Sequence, residues 1–498
     1  MNADGKSDER VVPKKSANKD AQAGASAESA EERRSTRRNT EQSNLPCTQR
    51  QNRRRSSGLT GVRDAARKDR ELKFTSLLHH VNVDLLRHSF YRLKRKAAVG
   101  VDEVSWQEYE QDLENNLVDL HGRIHRGAFQ AKPSRRVYID KADGSRRPLG
   151  IPSLEDKIVQ HAVRHVMQHI YEVDFKGFSY GFRPRRSPQQ ALDAVSVGIT
   201  EQRVNWIIDA DIKGFFDEID RDWLMKFIEH RIGDKRLLRL IRRWLNAGII
   251  EETDWSDSGK GTPQGAILSP LLANIFLHYV LDLWFDWWRS RHADGKCIII
   301  RYADDFLLGF EHESDARTCL PALTERMTKF GLQLHPTKTR LIEFGRRSAG
   351  RNRREGRQRE TFDFLGMTHF WGPTRSGKLT LQRRTMAKRL RRKLAEIGES
   401  LRRRRHESVG ETGRWLASVM RGWQQYHGVP MNYRRLQQFQ EGIFHLWLGQ
   451  LRRRSQRGRS RWTYTRMRRL VERHLPKPRI TQPWPHVRFR ARLGVRAV

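Results

Sequence analysis

Apolar residues first recur with a helical period at Leu77, Leu78, Val81, Leu85, Leu86 and Phe90. Gly100-Val101-Asp102 interrupts that pattern, and Trp106 to His125 resumes it. Arg135 to Ile151 (RRVYIDKADGSRRPLGI) places Val137 and Ile139 on one face with Asp143-Gly144 as a favoured turn, which predicts a basic β-hairpin. A helix follows Pro152. Asn205 to Ile212 (NWIIDADI) alternates, with Trp206, Ile208, Ala210 and Ile212 on one face and Asp209 and Asp211 on the other. Ala266 to Trp288 is rich in leucine and aromatics, and Asn274, His278, Asp282 and Asp286 draw one polar stripe through it at every fourth position. That stripe predicts a largely buried helix of a globular protein rather than a membrane span. Ile298 to Phe310 (IIIRYADDFLLGF) sets two apolar runs around a polar centre and predicts a second hairpin whose turn carries Asp304 and Asp305. Asp315 to Phe330 reads as a helix, Leu332 to Phe344 as a strand with Lys338 beside it, and Phe362 to Gly366 (FDFLG) as a short strand and turn. From Leu379 to about Trp462 the pattern is helical and very basic.

Composition changes the picture at the ends. Residues 1 to about 60 are rich in Ser, Ala, Glu, Lys and Arg and nearly devoid of aromatics, the composition of a disordered basic arm. The tail from Pro476 is basic and broken by prolines. The 498 residues carry a formal net charge of +39, spread along the whole chain, which points to a nucleic acid as partner and away from a membrane. Cys47, Cys297 and Cys319 are the only cysteines, so neither a disulfide framework nor paired zinc ligands are expected, and a reducing, cytoplasmic setting is. No apolar signal segment opens the chain, and export is not expected.

Two adjacent carboxylates between apolar runs raise each other's pKa unless a cation neutralises them, and hard oxygen ligands suit magnesium. With a carboxylate of the acidic strand that carries Asp209 and Asp211 they form a three-carboxylate constellation, the ligand supply for two metals about 3.5–4 Å apart. Phe215 and Phe216 stand just behind Asp211. His161, His165 and His169 share a helix face, but no carboxylate completes a familiar zinc motif, which favours structure or phosphate contact. Phe178 to Ser187 (FSYGFRPRRS) mixes aromatics and arginines, a combination suited to stacking on bases and pairing with phosphates. Gly259 to Gly265 (GKGTPQG) is glycine-rich without being a P-loop, and its end, Gln264-Gly265, could meet a nucleotide through backbone amides. A lysine such as Lys338 near the metals could protonate a leaving pyrophosphate. Arg383, Arg384, Lys388, Arg389, Arg391, Arg392 and Arg402 to Arg405, interleaved with Trp415, Trp423, Tyr426 and Trp447, read as an RNA- or duplex-binding surface.

The stretches RRPLGIPSLEDKIVQ, FSYGFRPRRS, DIKGFFDEI, GTPQGAILSPLLANIFLH, RYADDF, FDFLG and RGWQQYHG follow one another in this order. Together they resemble the reverse transcriptase/maturase encoded by bacterial group II introns, from about residue 70 to the end. The resemblance implies an α+β right-hand polymerase, with fingers and palm carrying antiparallel sheet over 61–375. A helical thumb/maturase domain at 376–465 and the basic tail at 466–498 would follow, with the arm at 1–60 outside the resemblance. It implies Asp211, Asp304 and Asp305 as ligands of two Mg2+ ions, with Mn2+ as a substitute, and Lys338 as a catalytic group. Phe215 or Phe216 would exclude a ribose 2′-hydroxyl. Arg135, Lys141, Gln264 and Gly265 would complete the nucleotide pocket, and FLG would grip the primer. The implied partners are intron RNA as template, a DNA primer or target, and deoxynucleoside triphosphates; dimerisation is left open. Asp140, Ala142 and His335-Pro336-Thr337 depart from the usual pattern at the edges of fingers and palm. The chain resembles the endonuclease-lacking members. The expected activity is RNA-directed DNA polymerisation that copies intron RNA, with assistance to splicing and mobility. The alternatives are a splicing-only RNA-binding maturase and a reverse transcriptase outside introns, in defence or of retron-like type.

Overall fold

The computed structural model describes residues 48–140, 146–251, 254–256, 260–262, 265–374, 376–456 and 458–493. Among the described residues three sheets are embedded among helices. The first sheet contains the basic hairpin, β1 (Ser134–Asp140) and β2 (Arg146–Ile151), paired antiparallel with Arg135 opposite Ile151. The central sheet starts at β3 (Trp206–Ala210). Two three-residue strands, β4 (Ile249–Glu251) and β5 (Asp254–Ser256), extend the first sheet in the order β2-β1-β4-β5. The β1–β4 pairing is parallel, so this sheet is not wholly antiparallel as the sequence reading expects. Strands β6 (Cys297–Tyr302), β7 (Asp305–Phe310) and β8 (Arg340–Glu343) complete the central sheet in the antiparallel order β6-β7-β3-β8. The third sheet, β11-β10-β9, is built from β9 (Thr361–Phe364), β10 (Met367–Pro373) and β11 (Leu379–Thr385).

Local chemistry sets the helix starts. Ser105, Ser187 and Ser408 each accept a backbone N–H three residues on, with a Glu or Gln reaching back to complete a capping box. Pro188, next to Ser187, needs no N–H partner in the first turn. Leu59, Val62 and Ala66 bury one face of the helix Thr48–Lys68, which packs on the helix Leu154–Asp174. Residues 48–60 of the stretch read as a disordered arm are therefore helical, because three spaced apolar residues outweigh the polar composition around them.

The apolar helix between Ala266 and Trp288 is confirmed, but it is not uniform. An α-helical stretch, Ser269–Leu277, widens into a π segment at His278–Asp282 and returns to α at Leu283–His292. Among the described residues no helix is long and apolar enough to cross a membrane.

Behind the sheets, three apolar clusters divide the work. One joins the helices from residue 59 onward to the central sheet and the Ser269–His292 helix. A second lies between the helix Pro188–Glu201, the central sheet and the third sheet. The third is the core of the C-terminal helices Ala387–Arg403, Val409–His427, Tyr433–Arg452 and Tyr464–His474. Two features of the C-terminal part depart from the sequence reading. Trp423 and Trp447 are buried in that core rather than spaced on a surface, and Arg383 is buried against Asp193. The tail also folds: Met467, Val471 and Leu475 enter the third core, and Phe489 of the helix Pro485–Leu493 packs into the second.

Candidate active site

The antiparallel register of the central sheet brings the acidic residues together. Tyr302 pairs with Asp305 across the β6–β7 hairpin, so the turn consists of Ala303 and Asp304 alone, and Asp305 is the first residue of β7. The sequence reading placed both aspartates in the turn. Ala303 takes the left-handed φ of +59° that such a tight turn demands. On the neighbouring strand Ala210 lies opposite Phe306, which sets Asp211, one residue further on, beside Asp305. Asp211, Asp304 and Asp305 are each half-buried at this end of the sheet.

Burial pushes the Asp305 carboxyl up to about 7, and the negative charges of Asp304, Asp209 and Asp211 push in the same direction; the Leu365 N–H opposes them. The folded protein therefore holds a proton on Asp305 that the unfolded chain, with its ordinary aspartate, has released. Stability from this group is greatest below about pH 4 and declines as pH rises towards 7. The Asp305→Asn variant, free of metal, is expected to come nearest the wild type's thermal midpoint at or below pH 4 and to exceed it by an increasing margin up to pH 8. An equal difference at both pH values would contradict the crowding.

Asp211 has a cation already beside it. Lys338 Nζ donates to Asp211 Oδ2 at 2.7 Å, and the His335 N–H donates to the Asp211 carbonyl at 2.7 Å, so the segment before β8 carries Lys338 to the carboxylates. Asp209, on the same face of β3, is held by Arg340 at 3.1 Å; burial raises its pKa and Arg340 opposes the rise. The Phe362–Gly366 stretch forms β9 and a turn in which Leu365 (φ +49°) and Gly366 (φ +76°) are both left-handed, and this turn aims the Leu365 amide at Asp305. That contact is invisible in sequence, because a backbone amide leaves no residue-type signature.

An aromatic wall follows Asp211 in the chain, on the short helix Phe215–Glu218. Phe215 is 3% exposed and packs edge-on against Phe276, while Phe216 keeps part of its ring exposed. The Thr262 N–H donates to the Phe216 carbonyl, which ties the glycine-rich loop to this wall. Gly265 adopts φ +113°, and a Cβ there would fall 2.5 Å from the Gly150 carbonyl oxygen, so the loop end lies against β2. Arg135 donates to the Val99 carbonyl at 2.8 Å, at the base of the basic hairpin. Lys141 and Gln264 lie outside the described residues.

The FSYGFRPRRS segment is only partly a surface. Phe178 and Tyr180 are buried, and Arg183 is buried against Glu172 (3.1 Å) and the carbonyls of Lys176 and Ser179. Phe182 alone among its aromatics is exposed, at 50% and with φ +57°. The histidine row bonds within the fold: His161 bonds Ser89, His169 bonds the His165 carbonyl, and burial holds His161 and His165 down at about 4.

Among the described residues no group of three or more His, Cys, Asp or Glu side chains closes into a metal cage. The donor set nevertheless fits a hard divalent ion. It is all carboxylate, it is crowded enough to hold a proton near neutral pH, and magnesium is usually bound by one or two carboxylates plus substrate phosphates rather than by an all-protein cage.

A four-stranded antiparallel sheet with paired carboxylates at a hairpin turn, a third on the adjoining strand and a helical C-terminal unit is the architecture of a right-hand polymerase. Residues 139–369 match the family described as reverse transcriptase (RNA-dependent DNA polymerase). The chain is 36% identical over 239 residues to protein YkfC of Escherichia coli, a match covering 42% of this chain and 62% of YkfC. It is 44% identical over 162 residues to the group II intron-encoded protein LtrA of Lactococcus lactis, covering 32% of this chain and 27% of LtrA. Nuclear intron maturase 4 of Arabidopsis thaliana is 24% identical over 212 residues, 41% of this chain and 25% of that protein. The match thus spans about three fifths of YkfC and about a quarter of the other two. The chain carries a reverse transcriptase (RNA-dependent DNA polymerase) domain over residues 139–369, and that stretch is similar to proteins named for group II introns and intron maturases.

Proposed function

We propose that this protein is an RNA-directed DNA polymerase of a group II intron, which copies intron RNA into DNA and assists splicing and mobility. The observation that carries the reading is the convergence of Asp211, Asp304 and Asp305 at one end of the central sheet, inside the stretch that matches reverse transcriptases. In this reading the three carboxylates hold two Mg2+ ions, which Mn2+ can replace, and the ions supply Lewis-acid activation of the primer 3′-hydroxyl and charge neutralisation at the triphosphate. The chain's own part is to position and neutralise. Lys338, now held by Asp211, would be the proton donor to the leaving pyrophosphate once Asp211 served as a metal ligand. Arg135, Lys141, Gln264 and Gly265 line the nucleotide pocket. Residues 61–375 form fingers and palm, 376–465 the thumb/maturase domain and 466–498 the tail, with the arm at 1–60 preceding them. The template is intron RNA, the primer or target is DNA, and the setting is cytoplasmic.

Phe215 or Phe216 selects the sugar. A valine at the wall position is expected to raise ribonucleotide incorporation at least about tenfold, since a steric gate works by a clash that a smaller side chain removes. Comparing Phe215→Val with Phe216→Val in single-nucleotide incorporation assigns the gate, and unchanged selectivity in both would exclude it from this wall.

Arg391, Arg392, Arg402, Arg403 and Arg405 remain exposed on the C-terminal helices and their connections, and they support an RNA-binding surface. Binding to intron RNA is expected to weaken by roughly a thousandfold between 50 and 200 mM salt, as counterions released by several phosphate contacts require. A flat salt response would contradict a phosphate-dominated interface. The reading as a whole is tested by primer extension on an RNA template. RNA binding that supports splicing without any extension would instead favour a splicing-only maturase.

A further inference from the structure

The polar stripe on the Ser269–His292 helix does not face solvent. Asn274, His278 and Asp282 are buried, and they meet a side chain from the catalytic hairpin. Arg301, two residues before Ala303, is 0% exposed, as is Asp282. Its guanidinium forks onto that carboxylate, Nε to Oδ1 at 2.7 Å and Nη2 to Oδ2 at 2.5 Å. Nη1 donates to Asn274 Oδ1 at 2.9 Å and to the Ala303 carbonyl at 3.0 Å. Asn274 in turn donates through Nδ2 to the Gly181 carbonyl at 2.8 Å. His278 Nδ1 stands 3.8 Å from Asp282 Oδ2.

The main chain repeats the connection. The Arg301 N–H donates to the Phe178 carbonyl at 3.0 Å, and the Tyr180 N–H donates to the Arg301 carbonyl at 2.8 Å. Gly181 lies so close to the turn that a Cβ would fall 2.2 Å from the Ala303 nitrogen. A fully buried ion pair is a costly way to gain stability, and apolar residues of similar volume often serve as well or better. What an arginine fork gives here that a leucine cannot is direction, since one planar group fixes three acceptor groups, two on the Ser269–His292 helix and one in its own hairpin. The acceptor at its end is the carbonyl of the one left-handed residue in the turn that carries Asp304. The helix widens into its π segment just where His278 and Asp282 join the group.

We infer that Arg301 is a positioning residue: with Asp282 and Asn274 it anchors the Ala303 carbonyl and the Phe178–Gly181 segment in one fixed arrangement, and so sets where Asp304 and Asp305 present their oxygens. This rests on the polymerase reading for its catalytic consequence, but the anchoring itself is a property of the carboxylate site.

Two variants separate positioning from stability. Asn274→Ala removes the links to Arg301 and Gly181 while leaving the ion pair. The double variant Arg301→Met/Asp282→Leu replaces the pair with apolar residues of similar size. Both are expected to stay folded, with kcat for single-nucleotide extension reduced at least about tenfold, because small misplacements at a reacting centre are costly. The nucleotide KM and the primer–template Kd should change less than about threefold, since neither ligand touches these residues. Mn2+ affinity of the nucleotide-free protein, read by electron paramagnetic resonance, should fall several-fold in both. Folded variants with wild-type kcat and wild-type Mn2+ affinity would overturn the inference. If the double variant fails to fold, Asn274→Ala decides alone. A wild-type protein that extends no primer would overturn the polymerase reading, while the Mn2+ comparison still decides this one.

Discussion

Replacing Asp304 with alanine is expected to lower RNA-templated extension at least about a thousandfold, some 4 kcal/mol of transition-state stabilisation, and to leave RNA binding within about twofold of wild type. The asymmetry follows from where the residue stands. Asp304 is half-buried in a two-residue turn at one end of the central sheet, whereas the exposed arginines lie on the C-terminal helices and their connections. Losing one carboxylate also removes one of the charges that crowd Asp305, so the variant should not be less stable than wild type without metal. A defect in RNA binding as large as the defect in extension would mean that Asp304 acts on folding rather than on chemistry.

The largest expected effect on stability lies elsewhere. Asp193, on the helix Pro188–Glu201, is buried between two guanidiniums, with Arg383 of β11 at 2.7 Å and Arg488 of the last helix at 2.6 Å. Burial raises its pKa, and the two arginines work against that rise. Asp193→Ala would leave Arg383 buried without a counter-charge, and the expected cost is about 3–5 kcal/mol in denaturant unfolding. It should also release the C-terminal helix, whose Phe489 packs into the same cluster. Asp193→Leu combined with Arg383→Met is expected to recover most of that loss, because no buried charge remains. If Asp193→Ala unfolds at the wild-type midpoint, the three elements are not joined through this cluster.

Much of the palm was legible because strand alternation and turn chemistry act locally. The 135–151 and 298–310 hairpins and the NWIIDADI strand each carry their own pattern, and antiparallel register then places Asp211 beside Asp305. What stayed hidden was long-range pairing. The four-residue polar spacing on the Ser269–His292 helix correctly indicates one face, but nothing in it indicates that the face meets Arg301. Arg383 and the tryptophans at 423 and 447 look like a nucleic-acid surface in a chain this cationic; burial is decided by Asp193 and by the helices that pack around them. The tail reads as basic and proline-broken, and its prolines and arginines mask the few apolar anchors, Met467, Val471, Leu475 and Phe489. The Leu365 amide at Asp305 leaves no trace in composition at all.

The central claim is tested most directly by extension of a DNA primer on an RNA template with magnesium and deoxynucleoside triphosphates, comparing wild type with Asp304→Ala. The account predicts a full-length DNA product from the wild type and none from the variant at equal RNA binding. Extension by both proteins alike, or by neither while RNA binding is intact, would contradict it.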